Sequence, residues 1–199
     1  VFLLINNILL VTATGVVLAG TLSPIVFDVL GLGQISVGPP YFNIQFVPIA
    51  LLVMVFAGIG PLITWKKHSP RQLFSTLTKA VVISGLVGVV VSLLMSDTFY
   101  WSVVMASGSA MWVILLTVTG LWLKVRGARQ GIWRGFLRLP RSYQGMVVAH
   151  TGLAVTIIGV TMVSMYDVEK DVRMAVGDQV MVGDYAFAFD AINDLQGPN

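Results

Sequence analysis

The chain has 199 residues, of which 56% are hydrophobic and only 11% charged, and its mean hydropathy of +0.87 lies outside the range of soluble globular domains. Twelve basic residues against nine acidic ones give a net charge of +3, an excess that in a membrane protein reports topology and calls for no nucleic-acid partner. The absence of cysteine excludes disulfides, thiolate metal sites and a thiol relay within the chain, so redox chemistry here needs a cofactor or a partner.

A helix needs about 20 apolar residues to cross a hydrocarbon core of ~30 Å, and five stretches qualify: 3–24, 44–64, 75–95, 101–123 and 144–165. The expected fold class is an all-α polytopic membrane protein, with a transmembrane bundle over 1–165 and an extracytoplasmic β-rich unit beginning at 166–199. Val1 lies inside an apolar run and Asn199 in a polar one, which reads as a fragment of a longer chain. The first span carries Asn6, Asn7, Thr12, Thr14 and Thr21, which are expected to face other helices or a cavity, with interhelical hydrogen bonds the plainest use for them.

Between spans one and two lies "GLGQISVGPPYFN". Its glycines and the Pro39-Pro40 pair predict a defined non-helical loop, with Tyr41, Phe42 and Asn43 following at the membrane interface. An aromatic anchor after a rigid turn explains the pattern, and a surface for an extracytoplasmic ligand or partner stands beside that reading.

Lys66, Lys67, Arg71 and Lys79 fall around the connection of spans two and three, and Lys124, Arg126, Arg129, Arg134, Arg138 and Arg141 around that of spans four and five. All nine acids fall on the opposite side, most of them after span five. The positive-inside rule then places the basic loops in the cytoplasm and the tail outside it. His68, within "KKHSPRQL", reads as a solvated loop histidine.

Span five, "YQGMVVAHTGLAVTIIGVTMVSMY", holds His150 about two turns in from its cytoplasmic end. At 3.6 residues per turn His150 shares a strip with Met146, Leu153, Ala154, Ile157 and Thr161, on which nothing could pair with an imidazolium. The adjoining face carries Gly145, Ala149, Gly152, Thr156 and Gly159 and is expected to pack against another helix. An ionisable group inside a span is a functional candidate by default. On the residues alone a structural hydrogen bond, a metal or haem ligand and a proton relay all stay open. A six-coordinate haem would need a second axial group that this chain does not obviously supply.

After span five the period changes from helical to alternating. "DVRMAV", "QVMVG" and "YAFAFDAI" are predicted strands separated by Gly177-Asp178 and Gly183-Asp184, with Tyr185, Phe187 and Phe189 along one face.

Five motifs, "NNILLV", "GTLSPIVFDVLGLGQISVGPPYFN", "GIGPLITWKK", "YQGMVVAHTGLAVTIIGV" and "YDVEKDVRM…GPN", together resemble the C-terminal part of the CcmF/NrfE family of cytochrome c haem lyases. The resemblance covers essentially the whole chain. It implies a multi-pass protein of the bacterial inner membrane, with a periplasmic C-terminal tail, that helps attach haem covalently to apocytochrome c. It further implies a b-type haem held between two transmembrane histidines, His150 being one axial ligand to the iron and the other lying upstream of residue 1. Asn6 and Asn7 are then candidates for lining that site, and Pro39, Pro40, Tyr41, Phe42 and Asn43 for a periplasmic ligand or partner surface. The implied partners are the haem chaperone CcmE, apocytochrome c with its thiol-reducing and presenting partner CcmH, quinol as electron donor, and membrane lipid. By that resemblance the fragment alone is expected to be inactive. A non-enzymatic scaffold or haem-transfer subunit, with His150 in a structural bond, is the alternative.

Overall fold

In lipid every backbone N–H and C=O must find its partner inside the spanning segment, and the helix is the local solution. The computed structural model describes residues 2–63, 70–95, 99–126, 131–166 and 169–193. It contains helices α1 (Phe2–Val29), α2 (Pro39–Ile59, continued by a 3₁₀ turn over Gly60–Leu62), α3 (Pro70–Met95), α4 (Trp101–Val125), α5 (Ile132–Leu137) and α6 (Arg141–Tyr166). All but α5 are long and apolar enough to cross a membrane. The chain divides into two units, Val1–Thr161 and Met162–Asn199.

The first unit is built around α4, which packs against α2 and α3. Its inward side chains include Val103, Ser107, Ala110, Val113, Leu116 and Thr117, at three- and four-residue spacing. Hydrophobic burial does not drive helices together in lipid, so close approach has to. A Cβ built on Gly88 would stand 2.6 Å from the Val104 carbonyl oxygen, and one on Gly120 would stand 2.9 Å from Pro61 Cβ. A Cβ on Gly58 would run into the Trp112 indole, whose Nε1 donates 3.3 Å across to the Val55 carbonyl. At the start of α4, the fully buried Ser92 hydroxyl accepts from Tyr100 N (3.1 Å) and donates to Tyr100 O (3.2 Å).

α1 runs five residues beyond the predicted span, and Pro24 lies inside it. Its hydroxyls do not reach other helices as expected. Thr12, Thr14 and Thr21 donate to the carbonyls of Ile8, Leu10 and Val17, four residues back in their own helix, and Ser23 does the same to Ala19. In that way a short polar side chain is satisfied without a partner helix.

Pro39 and Pro40 open α2 instead of closing a loop, because the missing proline N–H belongs to positions that have no intrahelical acceptor anyway. The irregular segment between α1 and α2 is therefore short, with Gly31 and Gly33 at positive φ. Tyr41 and Phe42 turn inward, edge to face at 5.1 Å, over Gly20 of α1, and the Tyr41 hydroxyl donates to Val16 O at 3.0 Å. They pin α2 to α1. Within the basic connection before span five, the six-residue α5 is an element that the apolar periodicity did not predict.

In the second unit Gln179–Val182 pairs antiparallel with Tyr185–Ala188 around Gly183-Asp184, where Gly183 takes φ +57°. Gly177 N to Phe189 O (2.7 Å) and Phe189 N to Asp178 O (2.9 Å) continue the ladder. "QVMV" and "YAFA" are thus strands as expected, while Asp171–Ala175 is not, and Ala175 bonds Asp178 in the turn that precedes the hairpin.

The glycine contacts define a test. Gly58→Ala is expected to lower the stability of the detergent-purified protein by about 1–3 kcal/mol through overpacking against Trp112, read as a lower unfolding temperature. Gly15→Ala, where an added Cβ meets nothing within 4 Å, should leave it unchanged or slightly raised.

Candidate functional site

Three to four residues separate the inward positions of α6, which are Tyr143, Met146, Val147, His150, Leu153, Ala154, Ile157 and Thr161. His150 therefore lies on the strip that meets the bundle. Leu153 and Ile157 of that strip pack on the core cluster of Met54, Leu62, Ala80, Trp112, Val113 and Leu116. The small-residue face, expected to be the packing one, is open among the described residues: a Cβ on Gly145, Gly152 or Gly159 meets nothing within 4 Å. The larger apolar side chains fill the groove that α2 and α4 leave, and the glycines are turned away.

The Nδ1 atom of His150 is buried and has no hydrogen-bond partner. Among the described residues Asn6, Ser84, Thr117 and Tyr143 share that condition. Tyr143, seven residues earlier on the same strip, has an unpartnered buried hydroxyl, while the Lys124 ammonium of α4 lies 4.5 Å from its ring centroid. Asn6 of α1 is half-buried with an unpartnered Oδ1, whereas Asn7 is exposed. An orphaned buried polar atom forfeits about 1–3 kcal/mol, and His150 and Tyr143 place two of them on one strip of α6.

Above them lies a cavity of about 520 Å³ between α1, α2 and α6. Leu10, Ala13 and Val17 line it from α1, Phe46 and Val53 from α2, and Leu153 from α6. Its size suits a small organic ligand or cofactor. Leu10 and Leu153 are each about one turn along from Asn6 and His150, so those two polar groups lie beside the cavity wall and not on it. The hydroxyls of Thr14 and Thr21 face this space but are already satisfied in their own helix. Among the described residues no group of three or more His, Asp or Glu could hold a bare metal ion. His68 lies outside the described residues.

The Pro39–Asn43 group belongs elsewhere. Tyr41 meets α1 at Val16, ten residues or about 15 Å along the helix from Asn6. Pro39, Pro40 and Asn43 are exposed, and Tyr41 and Phe42 half-buried. Sequence reasoning missed Tyr143, although its seven-residue spacing from His150 was there to read. It also missed a second cavity of about 480 Å³ lined by Pro24, Ile25, Asp28, Gln34, Ile35 and Ser36.

Over 99% of its length the chain is 39% identical to the cytochrome c-type biogenesis protein CcmF of Escherichia coli and 38% identical to that of Pseudomonas aeruginosa. Along its whole length the sequence is similar to one stretch of the cytochrome c-type biogenesis proteins named CcmF. A relative named NrfE, from Haemophilus influenzae, is 29% identical over the same share. The chain spans about 30% of the length of the relatives it matches. No model of a known protein family matches it, and no solved structure does.

Tyr143→Phe tests the orphaned hydroxyl. Removing a buried, unpaired O–H while keeping the ring under Lys124 is expected to hold or raise stability, by up to about 1 kcal/mol in thermal unfolding. A clear loss would mean that the hydroxyl has a partner.

Proposed function

We propose that this chain works in cytochrome c maturation as part of a haem lyase in the bacterial inner membrane, and that His150 supplies one axial nitrogen to a b-type haem. The observation that carries the reading is the buried, unpartnered ring nitrogen of His150, on a helix strip with no carboxylate. Most buried polar groups find a hydrogen bond, and a histidine kept only for packing is expected to do the same. An imidazole has two ring nitrogens, one for iron and one to donate to an oxygen that fixes the ring. Asn6 Oδ1 is a buried acceptor without a donor, and it is not bonded to the His150 ring in this structure.

These residues fit one half of a haem site. A haem so held supplies one-electron transfer, with its potential set by axial ligands and burial. The chain's own contribution is to hold the imidazole in an apolar bundle, exclude water through Leu153 and Ile157, and leave the second axial position to a group outside this strip. Quinol is the proposed source of electrons. Haem to be attached would come from the chaperone CcmE, and apocytochrome c would be presented by CcmH. Their docking surface would use the exposed Pro39, Pro40 and Asn43 on the periplasmic side, with Tyr41 and Phe42 holding that corner in place.

Two measurements test this. The purified protein is expected to show the reduced spectrum of a b-type haem, and His150→Ala to lose it while keeping its expression level and its elution as a folded species; an unchanged spectrum would sink the assignment. For orientation, these 199 residues contain no cysteine, so each introduced one is read against a parent protein that lacks it. A membrane-impermeant maleimide applied to spheroplasts is expected to label Asp184→Cys and not Arg134→Cys, and the reverse pattern would invert the topology.

A further inference from the structure

The connection between α4 and α6 holds an amphipathic element that the haem reading does not use. α5 has only six residues, but its directions are sorted. At 100° per residue Gly135 points to the protein and is buried, with α5 packed on α4. Trp133 and Leu137 form one outward stripe, 70% and 54% exposed, and Arg134 and Arg138 form the next. Ile132 is also exposed, and the Trp133 ring lies 6.0 Å from that of Phe136.

This element is held in place. The Gln144 amide of α6 is shared among the carbonyls of Phe136 (3.3 Å), Leu137 (3.1 Å) and Leu139 (2.8 Å), which caps the C-terminal end of α5. Because α4 and α6 are both spanning helices, α5 lies where they leave the membrane. Arg126 and Arg141, both exposed, flank it. No acid occurs anywhere between Asp97 and Asp167, so these guanidinium groups have no carboxylate on their own stretch of chain to pair with.

We propose that α5 and its flanking arginines form a binding site for the head group of an anionic phospholipid, with Trp133 and Leu137 inserted at the acyl boundary and Arg134 and Arg138 on the phosphate. Charge complementarity selects the occupant: two arginines with no carboxylate partner among the described residues, beside an exposed indole at the depth where head groups lie, match a phosphate diester above hydrocarbon. Because Gln144 ties α5 to α6, lipid held there also steadies the helix that carries His150.

The test reconstitutes the purified protein in nanodiscs of phosphatidylcholine alone or with about 30% phosphatidylglycerol, measuring thermal unfolding and the lipid retained on re-extraction. The wild-type protein is expected to unfold several degrees higher with phosphatidylglycerol and to retain it selectively, with the gain shrinking at high salt. Arg134→Gln/Arg138→Gln should lose both effects and still unfold in phosphatidylcholine as the wild type does. Arg71→Gln/Lys79→Gln, which removes the same charge elsewhere, should keep them. Equal loss in both double variants would reduce the effect to net charge and overturn the site. So would the absence of any preference for phosphatidylglycerol, or loss of a co-purifying protein with lipid retention intact.

Discussion

The rest of the bundle depends on how closely α4 can approach its neighbours. In a bilayer the lipid tails compete equally for apolar side chains, so helices are held by van der Waals contact at short range and by the occasional hydrogen bond between them. Gly58, Gly88 and Gly120 provide that range, each at a point where a side chain would meet Trp112, the Val104 carbonyl or Pro61. The Trp112 to Val55 bond then fixes the depth of α4 against α2. Once those contacts are set, a groove remains for α6, and its shape selects which face of α6 turns inward.

α6 is held very differently. Six per cent of its span is buried within the described bundle, against 44% for α4. A helix with so little packing of its own gains most from whatever its inward side chains bind. That strip presents, in order, a tyrosine under an ammonium group, an unpartnered imidazole, and the apolar residues beside a cavity. Unsatisfied buried atoms also occur at Ser84 and Thr117 in the well-packed α3 and α4, so what sets this strip apart is the cavity beside it.

Much of this was legible in the sequence. The five spans follow from hydrocarbon thickness, and the hairpin from alternation around Gly183-Asp184. Other features depended on information that a single strand of sequence does not hold. Pro39-Pro40 looks like a stop until the residues after it are seen to be helical, when it becomes a start. α5 is too short to carry a period. The strip containing His150 was read correctly as a strip, but helical periodicity describes the faces of one helix without saying which of them a neighbour has room for. Asn6 and Asn7 are adjacent letters with opposite environments for the same reason. The threonines of α1 show the local alternative: an i−4 carbonyl is always within reach, and an interhelical partner is not.

The central claim is that the unpartnered nitrogen of His150 belongs to a ligand, and chemical rescue tests it most directly. A His150→Gly variant of the protein leaves a space in which free imidazole can take the lost position. Titrating imidazole into that variant in the presence of haem should restore the reduced b-type absorption in a saturable way, and 2-methylimidazole, hindered at the metal, should restore it poorly. Full haem binding by His150→Gly without imidazole, or no recovery at any imidazole concentration in a variant that stays folded, would contradict the account.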